Sequence, residues 1–372
     1  MNCFLKISIV ALAIVNFSTA NANDRPISNN ANLHKTRLVA ELPLSFNSPA
    51  SFALDSSNNI LFTSPNLHND LFLKQGLLAK PAVPVVGLID KSNKVSTWYE
   101  FQPQDMETSS HTVVPMGIAK GPDGNMYVAD MQLWAGGESR ILRINVKNGK
   151  AQDVDIVATG LSFPNALAWK GNDLFISDTV LSSKKGKPTI SGVYRIKLKE
   201  LNSDKPLKIS SFKRDEETDT HLIKTFESDG SLGFGANGLA IDDSGSLYVG
   251  IMEEGTIYKT ILDSQNNPVE TVLFTKGLVA PDGIQWDSAT KAMYITDLFT
   301  NSVYSIQLNG ELTLLAQNDD TTGVGGLLDA PGEAIVRGKE VFVNNFDAAF
   351  NVPSMVNTTP DAPVTISVFS LD

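Results

Sequence analysis

Four oxygen-bearing side chains, Asn165, Asn237, Asp282 and Glu333, recur at one place in a repeating pattern of the 372-residue chain. Each stands just ahead of a short apolar alternation, in "PNALAW", "ANGLAI", "PDGIQW" and "GEAIV". Two amide oxygens and two carboxylates, with no nitrogen or sulfur donor among them, form a hard-oxygen set. Such a set suits Ca²⁺, which takes roughly six to eight oxygen ligands, with Zn²⁺, Mn²⁺ or Mg²⁺ as competitors. An ion held there would polarise a substrate carbonyl, with Asp282 as general base or nucleophile. Taken singly, each residue also has a local reading, because Asn and Asp beside Pro or Gly commonly bond their own backbone at turns and strand entries. Their recurrence at one repeat position favours convergence on a common site.

The elements that must position them are six recurring hairpins, in which period-2 apolar residues flank a turn rich in Gly, Asn, Asp or Ser. They are "SPASFALDSSNNILFTS", "PMGIAKGPDGNMYVAD", "PNALAWKGNDLFISD", "ANGLAIDDSGSLYVG", "PDGIQWDSATKAMYITD" and "GEAIVRGKEVFVNN". A third strand follows each, from "VVGLID" to "ISVFSLD", and a fourth follows five of them, as in "VSTWYEF" or "LTLLAQ". The sixth lacks a fourth strand, while "RLVAEL" at 37–42 stands unpaired ahead of the first hairpin. The pattern predicts an all-β, six-bladed β-propeller, whose N-terminal strand closes the last blade and removes the open sheet edge. Inner strands line the channel of a propeller, so aligned positions form a ring. Aligning the hairpins places Ala50, Met116, Asn165, Asn237, Asp282 and Glu333 in it.

Other candidates are weaker. His111, in "SSHTVVPMG", is a second catalytic candidate if it reaches the channel mouth as a general base; the alternative is a loop hydrogen-bonder. Asp130, Asp178 and Asp297, at the ends of second strands, read as turn caps. Segment 65–82 is an apolar loop able to cover a pocket, segment 199–220 a solvated excursion, and 345–363 a long connection without strand character. No Gly-x-Ser-x-Gly elbow or His-Glu-x-x-His helix occurs, which leaves the axial set as the evident chemistry.

Composition narrows the partners. The chain carries 30 basic and 41 acidic residues, a formal charge of −11. That balance argues against nucleic acid and anionic membranes and suits a small-molecule or cation ligand. Residues 1–22 read as a signal peptide, with Lys6, an apolar run and the ending Ala20-Asn21-Ala22, so the protein is expected to be periplasmic or secreted. No stretch is long enough for a membrane anchor. The one cysteine, Cys3, lies in that leader, so the mature domain, 23–372, has no thiol for disulfides or metal.

The hairpins "FPNALAWKGNDLFISD" and "APDGIQWDSATKAMYITD" resemble those of the senescence marker protein/gluconolactonase/luciferin-regenerating enzyme family. The resemblance spans most of the mature chain. It implies a six-bladed propeller that binds a divalent ion on its axis through Glu, Asn, Asn and Asp, and hydrolysis of a lactone or phosphotriester. Asn165, Asn237 and Asp282 match the family's Asn, Asn and Asp. The family's Glu comes from the first hairpin, where this chain reads "NSPASFAL" with Ala50 at the aligned position, so Glu333 is expected to replace it from the last blade. The other reading of the chain is a non-catalytic propeller that binds a ligand or protein, since the fold alone implies no reaction.

Overall fold

The computed structural model describes residues 33–371, so the expected leader and its cleavage point lie outside the described residues. The strands form six antiparallel sheets in a ring. Blade 1 runs Phe52–Leu54, Ile60–Ser64, Val85–Ile89 and Val95–Glu100, from the channel outward. Blade 2 runs Pro115–Lys120, Met126–Asp130, Ser139–Lys147 and Lys150–Leu161; blade 3 runs Pro164–Lys170, Asp173–Ser182, Thr189–Lys197 and Leu222–Ser228. Blade 4 runs Ala236–Ile241, Leu247–Ile251, Thr256–Leu262 and Pro268–Lys276, and blade 5 runs Pro281–Asp287, Ala292–Asp297, Ser302–Gln307 and Leu312–Gln317. Blade 6 is Pro331–Arg337, Glu340–Asn345 and Thr365–Ser370, completed by Arg37–Glu41. Arg37 pairs with Val368 and Glu41 with Thr365, so the N-terminal strand closes the ring as its sequence predicts.

A blade is buried on both faces, which is why its second strand reads as a nearly continuous apolar run rather than a strict alternation. Each interface between neighbouring blades holds its own apolar cluster. Phe52, Phe62, Ile335, Phe342 and Ile366 fill the one between blades 6 and 1, where the closing strand adds Val39 and Ala40. Leu239, Val249, Phe175 and Val193 fill the one between blades 3 and 4. Every inner strand is thereby held by two neighbours, which fixes the depth of whatever side chain it presents to the channel.

Two of the three long connections carry order that their sequences hide. Segment 65–82 includes a short helix, Asn69–Lys74, that buries Phe72 completely. Asn47 ties it down: its Oδ1 accepts from the His68 N–H at 3.1 Å, and its Nδ2 donates to Asn69 Oδ1 at 3.0 Å. Segment 199–220 is not merely a solvated excursion. Leu207–Lys208 pairs in parallel with the outer strand of blade 2, and Leu201 and Ile209 are buried against that edge. The edge is covered, which limits edge-to-edge association.

Candidate functional site

In blades 2, 3 and 5 a buried aspartate rivets the chain just before the ring position. Asp178 accepts the Ser162 and Phe163 N–H groups, both at 2.8 Å, and Asp297 accepts those of Val279 and Ala280 at 2.6 and 3.0 Å. Asp130 accepts the Val114 N–H at 2.8 Å and also pairs with Arg140. These are the caps the sequence suggests, but buried ones that clamp the start of the inner strand. Burial pushes the Asp178 carboxyl up to about 6 and raises Asp297 as well.

A second device sets the ring itself. Hydroxyls on second strands reach across to the ring carbonyl of the next blade: Thr63 to Met116 at 2.5 Å, Ser177 to Asn237 at 2.6 Å, and Thr296 to Gly332 at 2.8 Å. In blades 2 and 4 the residue after the ring position is glycine for a related reason. A Cβ on Gly117 or Gly238 would come within 2.1 Å of the Asn165 carbonyl oxygen or 2.2 Å of that of Asp282, respectively.

Three of the four expected ligands come together. Asn165 Nδ2 donates to Asn237 Oδ1 at 2.9 Å and to Thr179 Oγ1 at 3.3 Å. Asn237 Nδ2 in turn donates to Met252 Sδ at 3.6 Å, and the same amide favours the charged form of the Asp282 carboxyl. Burial pushes the Asp282 carboxyl up to about 8; the Asn237 hydrogen bond opposes that rise, while the negative charges of Glu333 and Asp297 add to it. Asn165 and Asp282 keep part of their surface open to the channel, and Asn237 is buried. Neighbouring hard oxygens ending on a carboxylate whose charge is poorly compensated form a set that fits a hard divalent cation.

Glu333 does not share that level. Pro331 pairs with Asn345 as Pro281 pairs with Asp297, so Gly332 stands where Asp282 stands and Glu333 corresponds to Gly283. The Thr296 bond to the Gly332 carbonyl gives the same register. The ring is therefore Ala50, Met116, Asn165, Asn237, Asp282 and Gly332, which corrects the sequence alignment by one residue in the last blade. Glu333 points along the channel. Its Oε2 accepts from Ser51 Oγ at 2.6 Å and the Phe52 N–H at 2.5 Å, and its Oε1 accepts from Gln285 Nε2 at 2.8 Å. It is 5% exposed, and burial raises it to about 7 against those three donors. Gln285 also lines a cavity of about 280 Å³ at the far end of the inner strands, together with Phe52, Ala168, Ala240 and Trp286.

His111 is not brought into this set. It lies exposed in a turn with φ of 56°, its backbone N–H bonded to the Glu107 carbonyl at 2.8 Å, and no contact among the described residues joins it to the ring. Of what covers the ring, sequence reading anticipated only the 65–82 segment. Ala50 and Met116 pack into apolar clusters with Phe163, Phe234, Met252 and Phe346. Trp134, Phe163, Phe234, Phe350 and Phe299 form a continuous arc of ring contacts, with centroids 5.1 to 6.0 Å apart. Leu67, from the 65–82 segment, joins the same clusters. Sequence reading also missed Asp329, Asp347 and Asp361, which each place one carboxylate oxygen within 4.8 Å of the other two.

No family model matches the chain, and no curated protein matches it. Solved structures do. A luciferin-regenerating enzyme superposes with a TM-score of 0.56 at 10% identity, over 91% of this chain and 95% of that one. A gluconolactonase from Xanthomonas campestris gives 0.51 at 11% identity, over 91% and 90%. Regucalcin from Agrobacterium tumefaciens, described as a calcium-binding protein, gives 0.54 at 11% identity, over 90% and 93%. The likeness is one of fold: this chain shares the six-bladed propeller of the senescence marker protein/gluconolactonase proteins.

Proposed function

We propose that the protein is a metal-dependent hydrolase of a small ester, with a lactone as its substrate class. The observation that carries this reading is the linked series Asn165, Asn237 and Asp282 at one ring position of three consecutive blades, ending on a carboxyl pushed up to about 8. These three residues would hold the ion, and Ca²⁺ suits their oxygens, with Mn²⁺, Mg²⁺ or Zn²⁺ as alternatives. When bound, the ion supplies Lewis-acid polarisation of the ester carbonyl. Asp282 would take the proton of the attacking water at its carboxylate, which an adjacent divalent cation would keep ionised near neutrality. Asn165 fixes the Asn237 amide, which favours the charged form of Asp282. Glu333, one step deeper and held by Ser51, Phe52 and Gln285, keeps a second negative charge beneath the set rather than in it. The apolar remainder of the ring and the aromatic arc would exclude water and receive the carbon skeleton of the substrate.

The likeness to gluconolactonase supports the substrate class through the fold. The acidic balance and the leader-like N-terminus support action on a small molecule outside the cytoplasm, which N-terminal sequencing of the exported protein would check. Turnover of a lactone and aryl-ester panel with Ca²⁺, Mn²⁺ or Zn²⁺, against an EDTA-treated control, tests the reading: metal-dependent hydrolysis supports it. One observation favours a second reading, a propeller that binds an apolar ligand without turnover: Ala50, Met116 and Gly332 give half the ring no chemical group. Saturable ligand binding with no hydrolysis across the panel would select that second reading.

A further inference from the structure

Above blade 6, three segments distant in sequence meet. Asp329 lies in the turn entering Pro331–Arg337, Asp347 follows Glu340–Asn345 directly, and Asp361 lies in the connection to Thr365–Ser370. One carboxylate oxygen from each falls within 4.8 Å of the other two, which is about the greatest separation two ligands can have on one Ca²⁺ at roughly 2.4 Å each. Asp329 and Asp347 are 2% and 1% exposed. The charges that act on Asp329 are all negative, from Asp347, Asp361 and Asp320. Carboxylates crowded together in a dry site with no cation beside them are not a stabilising arrangement.

An independent observation points to what is missing. Asn357 is 3% exposed, and its Nδ2 donates to Asp347 Oδ1 and to the Ala348 carbonyl, both at 3.0 Å. The same amide therefore sits against the cluster, yet its Oδ1 is buried and has no hydrogen-bond partner. Asp329 Oδ1 and Asp361 Oδ1 are likewise buried without partners. Among the described residues, the Asn357 amide and the Asp361 N–H donate to Asp347, the latter at 2.7 Å, and both lock the connection in place. Three unpartnered oxygens on three side chains that share one neighbour call for a cation rather than a hydrogen-bond donor.

We propose that Asp329, Asp347, Asp361 and the Asn357 carbonyl oxygen form a Ca²⁺ site, separate from the axial set, that staples the 346–364 connection to the face of the propeller. An all-oxygen, strongly acidic set favours Ca²⁺ over Zn²⁺. The consequence reaches the axial channel. Phe346 adjoins Asp347, and Phe350 belongs to the aromatic arc, so an ion here orders part of the wall above the ring.

The test uses the full chain, stripped with EDTA and titrated with CaCl₂ in a calorimeter, alongside thermal melting and limited chymotrypsin digestion. Ca²⁺ is expected to raise the melting temperature by several degrees and to slow cleavage at Phe350. Both responses should persist in Asp282→Asn, which weakens the axial set; in Asp347→Asn the slowed cleavage at Phe350 should disappear and the rise in melting temperature should shrink to the axial contribution, with one fewer Ca²⁺ bound per chain than in wild type. Asn357→Ala, which leaves all three carboxylates, should weaken this Ca²⁺ at least tenfold. Melting of each variant in EDTA close to that of wild type establishes that it is folded. A wild-type protein whose melting and digestion ignore Ca²⁺, or an Asp347→Asn protein that binds as many ions as wild type, would overturn the proposal and indicate carboxyl groups that share protons instead.

Discussion

Replacing Asp282 by Asn perturbs one charge and almost no volume, and the structure sets both the sign and the size of the effect. In the metal-free protein the carboxyl is pushed from 3.8 up to about 8, so its protonated form is favoured on folding. A folded value above the unfolded one contributes stability that is complete below about 3.8 and is lost as pH rises towards 8. At about 1.4 kcal/mol per unit, folding with this group at pH 7.5 costs a ceiling of about 5 kcal/mol. The group is partly open to the channel, and water there would bring the cost nearer 2–3 kcal/mol, an order-of-magnitude figure. Metal-free Asp282→Asn should therefore be more stable than wild type at pH 7.5, by an amount that shrinks as pH falls to 5. Urea unfolding of EDTA-treated protein at the two pH values measures this. Added Ca²⁺ should stabilise wild type more than the variant, because only wild type retains the axial carboxylate. An Asp282→Asn protein less stable than wild type at pH 7.5 without metal would refute the reasoning, since it would make the ionised group a net contributor to the fold.

Two further outcomes follow from the register and from the closure of the ring. Glu333→Gln keeps an acceptor for the Phe52 N–H but forces the Gln285 amide to turn, so calorimetry should show ion binding weakened less than by Asp282→Asn, with a stability loss of about 1 kcal/mol; equal loss of binding in the two variants would make Glu333 a direct ligand. Deleting residues 23–44 removes the outer strand of blade 6 and exposes Ile366 and Val368, so the melting temperature should fall sharply, and an unchanged melting curve would count against the closure.

The fold was legible because hairpin repeats fix both strand order and the need for a closing strand: "RLVAEL" had no other partner. The site was legible up to a bulge. In every blade that carries a polar ring residue, the inner strand slips against its partner just after the ring position, as between Pro281 and Ile284. The apolar alternation beyond the slip therefore says nothing certain about phase ahead of it. In "PGEAIV" the glutamate was the attractive choice, yet the Pro331 pairing puts Gly332 in the ring. His111 drew attention by its residue type and its place shortly before Met116, and a left-handed turn carries it to the surface. Asp329, Asp347, Asn357 and Asp361 lie in loops with no period to relate them, so only the folded chain brings them together. The order in 199–220 rests on Leu201 and Ile209, two apolar residues in a polar segment too short to show alternation.

Under the proposed function, Asp282 handles a proton at a metal-dependent ester site. Steady-state kinetics of wild type and Asp282→Asn, on the lactone the wild type hydrolyses best and at saturating Ca²⁺, test it most directly. Asn retains an oxygen that can face the ion but cannot accept the proton of water, so kcat should fall by orders of magnitude, well beyond any loss of ion occupancy. Near-normal hydrolysis by Asp282→Asn under those conditions would contradict the claim.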